Sequence, residues 1–266
     1  MNVIVGSAAA QAYGVLACEW TKLRSVRSSI LTVLFAAAAT IAVGLITAND
    51  AVTYWDRASA SQRAAFDPIW VSLTGLVLTQ LVFGVLGVLV ISSEYASGTI
   101  RTTLTAVPRR WTVLAAKAVV VATVAFLAGE LIAFAAFFAG QSVLSAHDLN
   151  VAVGHPVVLR GLLGAGFFLC VMALLGLGLG AIIRHTAGAV SALFGLVFLV
   201  PPIVQALPTP WDARIGRYLM PEPGKQLILL DHAPAQLSAG AAFLVCAAWA
   251  AVALGVAGLL INRRDA

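Results

Sequence analysis

From Ile69 to Ile91 the chain carries no charged side chain, and five further stretches are similarly apolar and about as long or longer. A bilayer core takes about 20 apolar residues per helix, so each stretch is long enough to cross it. They fall at about 29–48, 69–91, 112–146, 161–183, 186–207 and 237–261. The third is overlong and holds Lys117 and Glu130, so its membrane portion is expected to start near Ala118. Of the 266 residues 61% are hydrophobic and 10% charged, against roughly 45–50% and 25% in soluble domains. A soluble fold of this length has too little interior to hide that much apolar surface. The expected fold is an all-α integral membrane protein, a single transmembrane domain over 1–266 with six spans.

Six spans place both termini on one side, and the basic residues indicate which. The N-terminal segment 1–28 (Lys22, Arg24, Arg27), the 92–117 connection (Arg101, Arg109, Arg110, Lys117), Arg184 and the tail (Arg263, Arg264) hold ten Lys and Arg. The connections 49–68, 147–160 and 208–236 hold six, and they carry seven acidic residues against three on the first side. Positive charge stays inside, so both termini are expected in the cytoplasm. The formal charge of +5 is spread over the ends of apolar stretches, with no basic stripe, which excludes a nucleic-acid reader. Arginine outnumbers lysine 13 to 3, and Ala, Gly and Val abound, pointing to a GC-rich bacterial genome and a bacterial plasma membrane.

The N-terminal segment lacks the order of a signal peptide, in which charge precedes the apolar region and a cleavage site follows it. Tyr13, Leu16, Trp20 and Leu23 recur at three- and four-residue spacing, while Glu19, Lys22 and Arg27 fall elsewhere around the wheel. That pattern predicts an amphipathic helix lying on the inner membrane surface, with Trp20 at headgroup depth. On the other side, the prolines of 208–236 forbid one continuous helix, and Gln226–Leu230 is apolar enough to dip into the interface. Pro201 and Pro202 are expected to break or end the fifth span early, which fits a re-entrant element.

Residues 92–111, SSEYASGTIRTTLTAVPRRW, join two membrane-length stretches with a polar, basic segment that cannot sit in lipid. Thr99 can cap a helix whose first turn is Ile100–Thr103, and Pro108 stops it. Ile100, Leu104 and Val107 then share one face. Gly98 supplies backbone freedom for a sharp entry. Glu94 and Tyr95 stand at the junction with the second span, and Arg101, Arg109 and Arg110 lie around the short helix.

Here the chain resembles a known family. Glu94-Tyr95, Gly98-Thr99-Ile100-Arg101, a short helix with Leu104, and the basic Arg109-Arg110, all between the second and third of six spans, are similar to the membrane subunit of a type-2 ABC exporter. Glu19-Trp20, Lys22, Leu23 and Arg24 resemble that family's interfacial helix, and Tyr218-Leu219-Met220-Pro221 with Gly224 the segment before its last span. The resemblance covers essentially the whole chain. It implies that 92–111 is a coupling helix seated in a cleft of a separate ABC ATPase, two copies of which act with a second permease, identical or related. No G-x-x-x-x-G-K-[ST] loop occurs, since Gly224-Lys225 is followed by Gln226. The chain is therefore expected to be a non-catalytic subunit without a cofactor, with ATP and Mg on the partner. The mostly apolar spans point to a hydrophobic or amphipathic cargo such as a drug, peptide or lipid, and the chain's surroundings are membrane lipid.

Glu130 is the only acidic residue inside a span. A carboxyl there normally faces a cavity or a partner, so it is a candidate for the translocation path or for a bond between helices. Gly176, Gly178 and Gly180 allow close helix approach. The three cysteines are far apart, two of them inside apolar stretches, and the four histidines are isolated, so neither a metal site nor a disulfide framework is expected. Two other functions compete with the exporter. A proton-coupled secondary transporter would use Glu130 and predicts repeat symmetry that the sequence lacks. An intramembrane enzyme would need a nucleophile–base pair in the spans, where Glu130 stands alone.

Overall fold

The computed structural model describes residues 14, 16–22, 27–100, 102, 110–230 and 236–263, with Arg27 and Arg110 through their backbone alone. No strand occurs among them. Among the described residues six helices are long and apolar enough to cross a membrane, which makes this an all-α integral membrane protein. The first span is Arg27–Tyr54. The second enters through a short helix, Pro68–Leu73, and continues as Leu76–Ser97. The third is Arg110–Leu144 and the fourth Pro156–Ile183. The fifth consists of Thr186–Phe194, a π-helical turn Gly195–Leu199 and Val200–Gln205. The sixth is Ala239–Arg263.

The fourth span is the axis, against which the second, third and sixth all pack. Between spans that face lipid no hydrophobic force acts, so association depends on close van der Waals contact at small residues. The second and fourth spans meet that need backbone to backbone. A Cβ on Gly87 would overlap the Ala173 carbonyl, and one on Gly176 would overlap the Gly84 carbonyl. Gly178 turns the other way, toward Ala253 of the sixth span. At the entrance to the second span, Asp67 caps the short helix by accepting from the N–H groups of Ile69 and Trp70, with Pro68 in the first turn. Its second oxygen accepts from Leu230 N–H at 2.7 Å, tying that entrance to the segment before the sixth span.

Several boundaries differ from the hydropathy reading. The first span continues past 48 to Tyr54, because nothing between Asn49 and Tyr54 breaks a helix. The second absorbs Ser92–Ser97, so only the remainder of 92–111 connects spans two and three. Pro201 and Pro202 do not end the fifth span, as the helix runs on to Gln205. A proline ring collides with the carbonyl four residues back, and the π-helical turn just before the pair, with its wider i→i+5 spacing, accommodates them. In 208–236 the helix Glu222–Ile228 is recessed beside the fourth span. Leu227 and Ile228 lie over Gly164 and Gly161, and the Phe168 ring covers Gly224. Cys170 and Cys246 are buried as free thiols, whereas Cys18 is exposed.

Candidate functional site at the foot of the second span

The second span ends where its backbone turns left-handed. Gly98 has φ 73° and caps the helix, its N–H donating to Tyr95 O at 3.3 Å. An L side chain at that φ is strained, which is why glycine stands there. Thr99 is the position where the sequence predicts an N-cap, but it already lies inside the next helical turn, and Thr102 Oγ1 donates to Thr99 O at 2.8 Å. Ile100 is buried in a crevice shared with Ile91, Tyr95, Val113, Leu114 and Ile261, while Gly98, Thr99 and Thr102 are exposed. Among the described residues of this turn, Ile100 is anchored in the protein and Gly98, Thr99 and Thr102 are open.

One turn before Gly98, Glu94 faces the interior of the bundle. Its Oε1 accepts from Lys117 Nζ of the third span at 2.7 Å and from Lys22 Nζ at 2.8 Å. Lys117 also donates to Glu19 Oε2 at 2.6 Å, and Lys22 to Glu19 Oε1 at 3.1 Å. Lys117 is only 1% exposed, about 10 Å along the third span from its first residue at the helical rise of 1.5 Å. Two carboxylates and two ammonium groups thus join three separate elements, the 16–22 helix, the second span and the third. Burial works against the Lys22 charge, but the hydrogen bond to Glu94 and the charge of Glu19 outweigh it and hold Lys22 above the ordinary lysine range. Glu94 Oε2 is buried and accepts no hydrogen bond.

The other side of the same helical foot is held by the turn between spans four and five. The Arg184 guanidinium lies 5.1 Å over the Tyr95 ring, and Thr186 Oγ1 donates to Ser92 Oγ at 2.9 Å. Arg184 adopts φ 58°, and His185 Nδ1 caps the fifth span by accepting from Gly188 N–H at 3.2 Å. Trp111, at the start of the third span, packs its ring against Gly258 of the sixth.

The sequence-predicted residues therefore divide. Glu94, Tyr95 and Ile100 point into the protein, and Gly98 and Thr99 face out. Arg110 opens the third span. Arg101, Leu104, Arg109, Leu23 and Arg24 lie outside the described residues. On the 16–22 helix Trp20 is 48% exposed, while Glu19 is 3% exposed against Lys117, so the helix presents a charged edge to the bundle. Glu130 is remote from this cluster. It packs against the backbone of Gly166 at the contact of spans three and four, and neither of its buried oxygens has a hydrogen-bond partner. Lys117 carries no sequence signal of this role, since alone it is an ordinary basic residue at a span edge.

The fold and this junction define a multi-pass membrane protein whose second and third spans converge on an anchored polar segment. The family described as "ABC-2 family transporter protein" matches residues 15–202, well over half of the chain, and the chain belongs to that family. The match takes in the 16–22 helix, the Glu94–Lys117 junction and the fifth-span turn. No curated protein matches the chain. The protein is an ABC permease, the membrane part of a transporter.

Proposed function

We propose that the chain is the permease subunit of an ATP-driven ABC exporter, working with a second permease and two copies of a separate ATPase that carries ATP and Mg. Both termini and the 92–111 segment lie in the cytoplasm of a bacterial plasma membrane, and the cargo is hydrophobic or amphipathic. The observation that carries this is the two-sided character of the segment after Gly98. Ile100 is locked among the ends of spans two, three and six, whereas Thr99 and Thr102 are exposed. A segment gripped from outside in this way transmits force to the spans instead of folding aside. The proton-coupled alternative gains nothing from Glu130, which is wedged against Gly166 with no polar relay beside it among the described residues.

The test is co-purification of the tagged permease with a soluble ATPase, followed by comparison with Gly98→Val. Valine resists a φ of 73°, so the variant should insert and fold yet lose most of its associated ATPase or of the permease-dependent ATP hydrolysis. Unchanged association together with unchanged hydrolysis would leave the segment a purely topological role.

A further inference from the structure

The four-charge junction is more than an anchor for one span, because its centre is a single residue. We propose that Lys117 is the positioning residue of the coupling segment. By holding Glu94 and Glu19 at once, its ammonium sets the direction in which the chain leaves the second span and fixes the 16–22 helix to that exit. The inference rests on the coupling role proposed for 92–111.

Three observations carry it. Lys117 donates to two carboxylates 75 residues apart in sequence, at 2.6 and 2.7 Å, and is 1% exposed. Glu94 lies four residues before Gly98, one helical turn from the point where the backbone changes hand, so a shift of its carboxylate turns the exit directly. Lys22 and Glu19 complete the square from the 16–22 helix, so that helix cannot move relative to the second span without breaking a charge pair. Lys22 does not replace Lys117, since its side chain is 42% exposed and reaches the carboxylates from the rim. The opposite side of the second span is held by Arg184 and Thr186, whereas on the Lys117 side the charge pairs stand beside the apolar crevice of Ile91, Ile100, Val113 and Leu114. An ATPase pushing on the exposed Thr99 and Thr102 would therefore shift the membrane-surface helix together with the second and third spans.

Spin labels on the native Cys18 and on Thr102→Cys, with Cys170 and Cys246 replaced by serine, report the distance between the 16–22 helix and the coupling turn in the full permease in nanodiscs. The wild-type background should give one narrow distribution. Lys117→Met alone leaves two buried carboxylates to Lys22 at the rim and risks misfolding, so the informative variant is Lys117→Met/Glu19→Gln/Glu94→Gln, which removes the three buried charges, retains their shapes and leaves only the partly exposed Lys22. Expected are an unchanged melting temperature, a clearly broadened Cys18–Thr102 distribution and a severalfold loss of permease-stimulated ATP hydrolysis, with Lys117→Arg largely restoring both. A narrow, wild-type distribution and full stimulation in the triple variant would overturn the proposal. Gly98→Val separates the two levels. If it uncouples while the triple variant does not, the Lys117 proposal alone fails. If neither variant uncouples, the coupling reading fails first.

Discussion

A lysine at 1% exposure inside a membrane-length helix is tolerated because charges from two other elements meet it. Removing one partner of such a buried pair costs about 3–5 kcal/mol, whereas replacing the whole set by neutral groups of similar volume is often neutral. The cluster is thus poor evidence of stability and good evidence of a fixed arrangement. None of this was legible in the sequence. Glu19 and Lys22 share a helix face at i and i+3, but Glu19 and Lys117 are 98 residues apart and meet only after the bundle forms. Lys117 on its own looks like an ordinary positive marker at a span edge. Glu130 shows the reverse case. It stands out in sequence as the one carboxylate in a span, yet it has no hydrogen bond to lose and lies on Gly166. Glu130→Leu should therefore leave the detergent melting temperature unchanged or raised. Gly166→Val should lower it, by the equivalent of about 1–3 kcal/mol for an overpacked contact. A clear loss of stability in Glu130→Leu would show that the carboxyl has a partner after all.

At the scale of elements, hydropathy located all six membrane-length helices, and the helices themselves end at other residues than the apolar runs do. Apolar run length measures what lipid accepts, whereas helix ends depend on caps and breakers. The second span runs past its apolar part to Ser97 because its true stop is the left-handed Gly98. The proline pair at 201–202 reads as a stop until the π-helical turn before it is seen to reset the register. The glycines were more informative. Gly176 and Gly180 on the fourth span predict close packing, and the second span supplies Gly84 and Gly87 at the same contact. These two spans should behave as one rigid body, passing displacement at Glu94 to the core of the bundle. Gly176→Val has no room beside the Gly84 carbonyl and should cost at least the roughly 1–3 kcal/mol of an overpacked core. Gly255→Val on the sixth span meets nothing within 4 Å and should be nearly silent in the same melting assay. Equal melting of the two variants would deny the backbone contact between spans two and four.

At the scale of the molecule, one end of the bundle gathers the 16–22 helix, Glu94, Lys117, Arg184 and Ile261, and the other gathers Asp67, Gln141, Arg160 and Leu230. The first end is the one whose connections carry ten of the sixteen Lys and Arg. In the orientation proposed above, the positive-inside bias would put the Lys117 junction and the turn after Gly98 in the cytoplasm, and the recessed Glu222–Ile228 helix outside. This orientation can fail independently of everything above. A reporter active only outside the membrane should be silent when fused after Ala266 and active when inserted beside Arg214, which lies in the connection between spans five and six. A cytoplasm-only reporter should give the mirror result at both sites. Neutralising basic residues on the first side, Arg263 and Arg264 for instance, should weaken the bias without inverting it, because the N-terminal and 92–117 connections still carry seven. Activity of the outside-only reporter at the C-terminus would place Glu94, Lys117 and Gly98 on the far side from any cytoplasmic ATPase. The coupling role and the positioning role of Lys117 would then fall together, while the fold and the charge junction would stand unchanged.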